Sequence, residues 1–282
     1  MNSILVNQLL TNDANVRKRI WNDHQIQISS LDFCKHAYMT SDNIGILQKS
    51  SMFSEAAFYL QNPSSLLPVV ALDPKPDEAV LDIAASPGGK TFHIACRMKN
   101  TGKLVANDLS RLRVSKMKNL LGKYGVKNAE YVARPGQILW QIYKDIFDKV
   151  LVDAPCTMCG TDTPSKDSPK KIAHVQKSLL KSAITCCKPG GIIVYSTCTN
   201  TLEENEEVID SILAKESGVV ELVKIHFPKD IPRMSSPFLN SKNQNIGYDT
   251  NDTFRVAKSD VFEGFFIAKF KKKEVSVKLK HK

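Results

Sequence analysis

The chain has 282 residues, 42% hydrophobic and 24% charged, with a net charge of +10 and a pI of about 9.2. This is ordinary globular composition, enough for one large domain or one domain with a small extension. No run approaches a transmembrane helix and the polar N-terminus lacks a signal-peptide pattern, so a soluble intracellular protein without membrane attachment is expected.

Seven cysteines, an odd number lying mostly in apparently regular elements, argue against a secreted disulfide framework and for reduced thiols. The basic balance favours a polyanionic partner, nucleic acid first and a membrane surface second. Lysine-rich surfaces that merely keep a protein soluble give the same charge, so charge alone decides nothing.

In chain order, residues 1–60 read as a small leading unit, with Asp13 as the cap of a helix through Arg17-Lys18-Arg19-Ile20-Trp21. The chain turns around residues 58–65, and an apolar stretch covers 66–72. Strand–helix alternation then begins: a strand at 79–84, a glycine turn at Ser86-Pro87-Gly88-Gly89 and a helix to about Met98. A second strand at 103–107 ends at Asp108, and Ser110 caps a helix through Leu121. Residues 130–133 are a weak third strand, and 147–152 are a fourth.

A helix at 171–187 ends at Lys188-Pro189-Gly190-Gly191, and a fifth strand reaches Tyr195. A helix over 202–215 carries acidic residues in its first turn, as its dipole prefers. A sixth strand spans 219–225, residues 228–254 are polar and irregular, and the last strand is 264–270. The lysine-rich tail, 271–282, reads as a frayed solvated end. Alternation of this kind means an α/β fold built on a doubly wound, mostly parallel sheet.

Two short stretches carry the chemistry. Asp153-Ala154-Pro155-Cys156 and Tyr195-Ser196-Thr197-Cys198 each follow an apolar, β-branched run of the kind that forms buried parallel strands. Ligands of such sheets sit beyond the carboxyl ends of the strands, so both thiols and one carboxylate should reach one rim. Thiolates are nucleophiles.

The loop Asp82-Ile83-Ala84-Ala85-Ser86-Pro87-Gly88-Gly89-Lys90-Thr91 suits a ligand held by backbone N–H groups at a helix N-terminus. A phosphate loop fits its end, but that pattern demands glycine at position 84, where Ala84 stands. A nucleoside-type cofactor loop instead predicts an acid at the end of the second strand, and Asp108 lies there, 20 residues after Gly88. Asp108 as a helix cap is the plainer alternative.

Together the loop, Asp108, the Asp-Ala-Pro-Cys stretch and Tyr-Ser-Thr-Cys followed by Glu203-Glu204-Asn205 resemble the Sun/Fmu (RsmB/RsmF-like) family of RNA cytosine-5 methyltransferases. The resemblance runs from Val6-Asn7 through residues 60–65 to Gly264-Phe265-Phe266. It implies a class I S-adenosylmethionine (SAM) methyltransferase sheet, Rossmann-like, with an antiparallel last strand. It also implies an RNA-contacting extension at 1–60, a catalytic domain at 61–270 and a basic tail at 271–282.

By motif position, Ala84, Ala85, Ser86, Pro87, Gly88, Gly89 and Lys90 would line the SAM pocket. Asp108 would hold the ribose, Arg113 matches the family's arginine in the next helix, and Asp153 would face both methyl donor and target base. The chain departs from the family at Arg134, where an acid near the adenine is usual. After Cys156 it reads Thr157-Met158-Cys159-Gly160 instead of Ser-Gly, and Arg255 lacks a proline three residues on.

Carbon 5 of cytosine is a poor nucleophile until a thiolate adds to carbon 6. The resemblance assigns that attack to Cys198 and the release of product to Cys156. Asp153 can hydrogen-bond the base edge and stabilise charge on the ring. The target base must leave its stack, which favours single-stranded or remodelled RNA, ribosomal RNA first and transfer RNA second. A monomer is expected, with an accessory protein partner left open, and no metal.

Other readings stand beside this one. Cys156 and Cys159 also fit a zinc or dithiol pair, whereas Cys186-Cys187 are adjacent and poor for tetrahedral chelation. Cys34, Cys96, Cys186 and Cys187 read as core residues, and His93 and His174 as packing or surface residues. A non-catalytic RNA-binding assembly factor that keeps the fold is the alternative to the enzyme.

Overall fold

The computed structural model describes residues 3–42, 44–158, 168–235 and 237–274. The leading unit is a four-stranded antiparallel sheet with a helix on it. Its elements are β1 (Ser3–Val6), α1 (Asp13–His24), β2 (Ser29–Ser30), β3 (Ala37–Met39), α2 (Ile44–Gln48), α3 (Ser51–Ser54) and β4 (Phe58–Gln61). The strand order is β2-β3-β1-β4. Val16 and Ile20, four apart on α1, pack on Ile4, Val6 and Phe58.

Two expectations change here. The helix cap is Asn12, whose extended backbone lets its side chain accept the Asn15 N–H; Asp13 is already helical. The Asp13 carboxylate instead takes the Tyr38 hydroxyl at 2.8 Å and pairs with His36 at 2.6 Å. Residues 58–61 are a strand and not a turn, because their backbone completes the β1 edge from Val6↔Phe58 to Ser3↔Gln61. The chain turns at Asn62, which caps a 3₁₀ turn, Pro63–Leu66.

The second unit contains α4 (Leu67–Leu72), β5 (Ala79–Asp82), α5 (Gly89–Met98), β6 (Lys103–Asp108), α6 (Arg111–Lys123), β7 (Ala129–Ala133), β8 (Phe147–Asp153) and α7 (Pro169–Cys186). It continues with β9 (Cys187–Thr197), α8 (Glu206–Glu216), β10 (Val220–Leu222), β11 (Arg233–Met234), β12 (Phe254–Val256) and β13 (Phe265–Lys272). The sheet order is β11-β12-β13-β9-β8-β5-β6-β7, with β10 also on β13. Strands β7, β6, β5, β8 and β9 are parallel. Strand β13 is antiparallel to β9.

The parallel strands are apolar on both faces, because helices cover both. Leu104, Ala106, Leu151 and Val194 pack with Phe92 and Met98 of α5 on one side. Leu81, Val105, Val150, Val152 and Tyr195 pack with Leu180 and Ile184 of α7 on the other. Strand order reverses between β5 and β8, which opens a crevice beyond their carboxyl ends.

The late region differs from expectation. The sixth strand is only β10, antiparallel to β13, and the stretch expected to be irregular contains β11 and ends on β12. The cause is the outer edge of β13: β10 pairs with Phe270–Lys272, and β12 pairs with Phe265–Ile267. Together they satisfy an edge that would otherwise be open. Strand β9 begins at Cys187, so residues 188–191 lie inside it across a register shift against β8 and do not form a separate turn. Helix α8 starts at Glu206 and not at residue 202, because Glu204 and Asn205 are committed to the loop before it.

The two units are joined by Asn7, whose amide donates to the Ala56 and Tyr124 carbonyls at 2.8 and 3.0 Å. Tyr59 packs on Phe92 and Tyr124, with ring centroids 5.7 and 5.4 Å away. Ser64 Oγ donates to the Glu263 carbonyl at 2.7 Å, and Glu263 N–H donates to Asn62 Oδ1 at 3.3 Å. Residues 275–282 of the basic tail lie outside the described residues.

Candidate active site

The glycine turn between β5 and α5 is shaped by two glycines with different tasks. Gly88 has φ +115°, a conformation that L side chains avoid, and a Cβ there would come 3.0 Å from Met117. Gly89 lets the helix start pass against the Tyr59 ring, 2.9 Å from where a Cβ would lie. Asp82 is buried beneath this turn and accepts the Thr91 hydroxyl at 2.7 Å. Burial, helped by the nearby Asp153 charge, pushes its carboxyl up to about 7, against the opposing hydrogen bond from Thr91.

Asp108 ends β6 with its side chain 4% exposed. Its Oδ1 accepts the Ser110 N–H at 3.0 Å and its Oδ2 pairs with Arg113 at 3.1 Å. Arg113 also donates to the Ser86 carbonyl at 2.9 Å, tying the turn to the second strand's end. A carboxylate has about four lone-pair sites, so Asp108 keeps acceptor capacity toward the crevice.

Asp153 ends β8. Its Oδ2 pairs with Lys90 Nζ at 2.7 Å and its Oδ1 accepts the Ser196 hydroxyl at 2.8 Å. Burial opposes the Lys90 charge, but the neighbouring Asp153 carboxylate and Asp82 hold this ammonium above the ordinary lysine value.

Beyond β8 and β9, Cys156 and Cys198 stand with their Sγ atoms 3.0 Å apart. Sequence reading expected neighbouring strands to deliver both thiols to one rim, and they do. With Cys198 as donor, the hydrogen bond draws Cys156 below the ordinary thiol value despite burial. The same bond pushes Cys198 up, with burial and Asp153 adding to the rise and Lys90 opposing it. The Cys156 sulfur is thus the side of the pair that holds negative charge most easily.

A cavity of about 410 Å³ connects these groups: Ala84, Ser86, Asp108 and Arg113 on one side, Asp153, Cys156 and Cys198 on the other. A smaller one of about 190 Å³ lies toward Tyr59 and Gln61, and Ala85, Pro87, Gly89 and Lys90 line it, with Ala84, Ser86 and Asp153 shared. Gly88 lines neither. The larger cavity is in the size range of small-molecule sites. Its two acids at strand ends, Asp108 and Asp153, its wall of Ala84 and Ser86 from the turn, and its two thiols fit a nucleoside-bearing methyl donor.

Arg134 is exposed; its backbone is held by Asn107, which donates to the Ile83 and Arg134 carbonyls and accepts the Arg134 N–H. Gln137, from the following 3₁₀ turn, lines the cavity on that side. Arg255 lies on β12 and grips Glu206 with two bonds of 2.5 Å, both groups buried, and donates to the Asn200 carbonyl at 3.1 Å.

Sequence reading missed Asn107, Gln176, Ser196 and the structural use of Glu204. A polar residue set inside the apolar strand 103–108 was the one available sign for Asn107. Cys34, Cys96 and Cys187 are pushed up to about 12, and Cys186 to about 11, mainly by burial, as fits inert core thiols. His93 is buried and neutral, while Cys159 lies outside the described residues. No cluster of three or more metal-ligating side chains occurs among the described residues.

Comparison with known proteins adds a context. Residues 69–271 match the family described as 16S rRNA methyltransferase RsmB/F. The chain is 37% identical over 221 residues to the tRNA (cytosine(49)-C(5))-methyltransferase of Pyrococcus abyssi, covering 75% of this chain and 69% of that one. It is 36% identical over 231 residues to ribosomal RNA small subunit methyltransferase F of Vibrio parahaemolyticus, covering 78% of this chain but 48% of the relative. The crystal structure of a methyltransferase homolog protein from Pyrococcus horikoshii superposes with a TM-score of 0.83 at 33% identity, over 96% of this chain and 86% of that one.

Proposed function

Because the chain belongs to the 16S rRNA methyltransferase RsmB/F family, we propose that it methylates carbon 5 of a cytosine in RNA with SAM as methyl donor. Ribosomal RNA is the favoured substrate. Transfer RNA is the second reading, favoured by the Pyrococcus abyssi relative, of which this chain spans the larger share. The observation that carries the reaction is the thiol pair, 3.0 Å apart, in the cavity that also holds Asp108 and Asp153.

SAM, when bound, supplies an electrophilic methyl group. Asp108 would hold its ribose, the backbone from Ala84 to Gly89 its remaining polar groups, and Arg113 would brace that wall through Asp108 and Ser86. Lys90 holds Asp153 in place beside the target base, where the carboxylate can accept a hydrogen bond from the base edge and orient the ring.

Cys198 gives up its proton, to Cys156 or to solvent, and adds as thiolate to carbon 6 of the cytosine. The carbon 5 centre then becomes electron-rich enough to accept the methyl group. For release, a proton leaves carbon 5 toward the Cys156 sulfur, which must have lost its own proton to solvent. The C–H electron pair becomes the 5,6 double bond, and the bond from carbon 6 to sulfur breaks, returning the thiolate to Cys198. The Cys156 sulfur, 3.0 Å from the Cys198 sulfur that carries the adduct, is the neighbouring group placed to accept that proton.

Residues 1–60 are assigned to RNA contact and 61–270 to catalysis, in a monomer; Lys271 and Lys272, expected in the frayed tail, belong to β13 because they pair with β9 and β10. The net charge of +10 supports an RNA partner. No helix among the described residues is long and apolar enough to cross a membrane. The test is methyl transfer from labelled SAM to ribosomal and transfer RNA transcripts, with bisulfite sequencing of the product. Incorporation at a cytosine of ribosomal RNA supports the reading; SAM binding without transfer to either RNA would favour an assembly factor.

A further inference from the structure

Glu204 is fully buried, yet four donors converge on its carboxylate. Thr157 N–H and the Gln176 amide reach Oε2 at 2.9 and 3.0 Å. The hydroxyls of Thr157 and Thr201 reach Oε1, the latter at 2.8 Å. Its backbone carbonyl accepts the Tyr195 hydroxyl at 2.6 Å, which fixes where the carboxylate starts. Gln176, buried on α7, donates from the same amide nitrogen to the Pro155 carbonyl at 2.9 Å.

The consequence is specific to one residue. Cys156 sits between Pro155, held by Gln176, and Thr157, held by Glu204, and the two holders are bonded to each other. The Thr157 hydroxyl also meets Thr199 Oγ1 at 3.1 Å, next to Cys198. A loop that carries a reacting sulfur has no strand ladder to fix it, and a buried carboxylate is costly unless fully bonded. Here the bonds are spent on the peptide units flanking one thiol.

We propose that Glu204 and Gln176 are positioning residues for product release: they hold the Cys156 loop so that its sulfur reaches the carbon 5 proton of the methylated adduct. This rests on the release role given to Cys156 above. Attack and methyl transfer depend on Cys198, which is seated on the end of β9, so they should depend less on the bracket. A displacement of about 1 Å in a reacting group can cost on the order of a hundredfold in rate.

The experiment compares wild type, Glu204→Ala, Glu204→Gln, Gln176→Leu and Cys156→Ala on an RNA transcript that the wild type methylates. Two readouts are taken: the first-turnover methyl transfer rate against the steady-state rate, and the amount of RNA–protein adduct that survives denaturation in the presence of SAM. Glu204→Ala and Gln176→Leu should keep the first turnover within about fivefold, lose up to about a hundredfold in steady state and accumulate adduct. Glu204→Gln keeps an acceptor for Thr157 N–H and should recover most of the steady-state rate.

Proportional loss in both phases without adduct, or no loss at all, overturns the proposal. If Glu204→Ala does not fold, Gln176→Leu and Glu204→Gln decide it by the same criterion. If Cys156→Ala accumulates adduct while the bracket variants do not, only this inference fails. If Cys156→Ala itself accumulates none, the release role of Cys156 fails first.

Discussion

Lys90 Nζ lies 2.7 Å from Asp153 Oδ2, joining the helix that follows β5 to the end of β8 across the point where strand order reverses. The lysine side chain is 15% exposed and the aspartate 29%, so neither charge is well solvated by itself. Lys90→Met should leave the carboxylate unpaired. The expected cost is about 2 kcal/mol in urea unfolding, below the 3–5 typical of a fully buried pair. The accompanying loss of methyl transfer should be at least about a hundredfold, as for removal of one preorganised electrostatic group. Unchanged activity of Lys90→Met would remove the pair from the chemistry.

The two thiols should separate cleanly in function. Cys198→Ala is expected to abolish methyl transfer and adduct formation together. Cys156→Ala should form adduct and fail to release it, visible as RNA that stays with the protein on a denaturing gel. Equal behaviour of the two variants would rule out the division of roles.

Asp108→Ala should weaken SAM binding by about ten- to a hundredfold, the worth of hydrogen bonds to a charged acceptor. Arg113→Ala should change it by less than about fivefold, because its guanidinium end of the pair is solvent-screened, with 57% of the side chain exposed. Calorimetry on the free protein measures both. A larger effect at Arg113 than at Asp108 would reverse the assignment.

Acid stability should carry the mark of His93. Burial, with Arg97 and His36 adding to it, pulls this imidazole down to about 3. Between about 3 and its ordinary 6.5 the unfolded chain takes up a proton that the folded chain refuses. Stability is therefore lost as pH falls below about 6.5, with a slope approaching about 1.4 kcal/mol per unit. Asp82, raised to about 7, slopes the opposite way between about 4 and 7, so the total curve mixes the two. The stability difference between wild type and His93→Phe isolates the histidine. It should shrink by about 2 kcal/mol from pH 7 to pH 5, and a constant difference would show that His93 does not set it.

Much of this architecture was legible because it depends on local pattern. The apolar runs ending at Asp82, Asp108, Asp153 and Thr197 mark strands buried on both faces, and Asp-Ala-Pro-Cys and Tyr-Ser-Thr-Cys stand at their ends. The elements missed depend on distant partners. Phe254–Val256 is three residues with a central arginine, and only the open edge of β13 and the buried Glu206 make it a strand. Asn12 and Asp13 are equally good caps in sequence; Tyr38 and His36 decide which one the helix uses. Glu204 reads as one more acid near a helix start until Thr157 and Gln176 are seen to close on it.

The seam between the two units also has a meaning in time. Ser64 and Asn62 bond to Glu263, which lies 199 and 201 positions further along the chain. At a synthesis rate of about 5–20 residues per second, those groups wait roughly 10–40 s for their partner. The leading sheet needs only residues up to Gln61 and can form at once. Strand β9, which carries Cys198 at its tip, keeps one edge open until Phe265–Lys272 emerges to pair with it. The reactive rim is therefore among the last parts of the molecule to close during biosynthesis, and the stretch between residues 198 and 265 is the window in which a nascent chain presents an unpaired strand edge beside a free thiol.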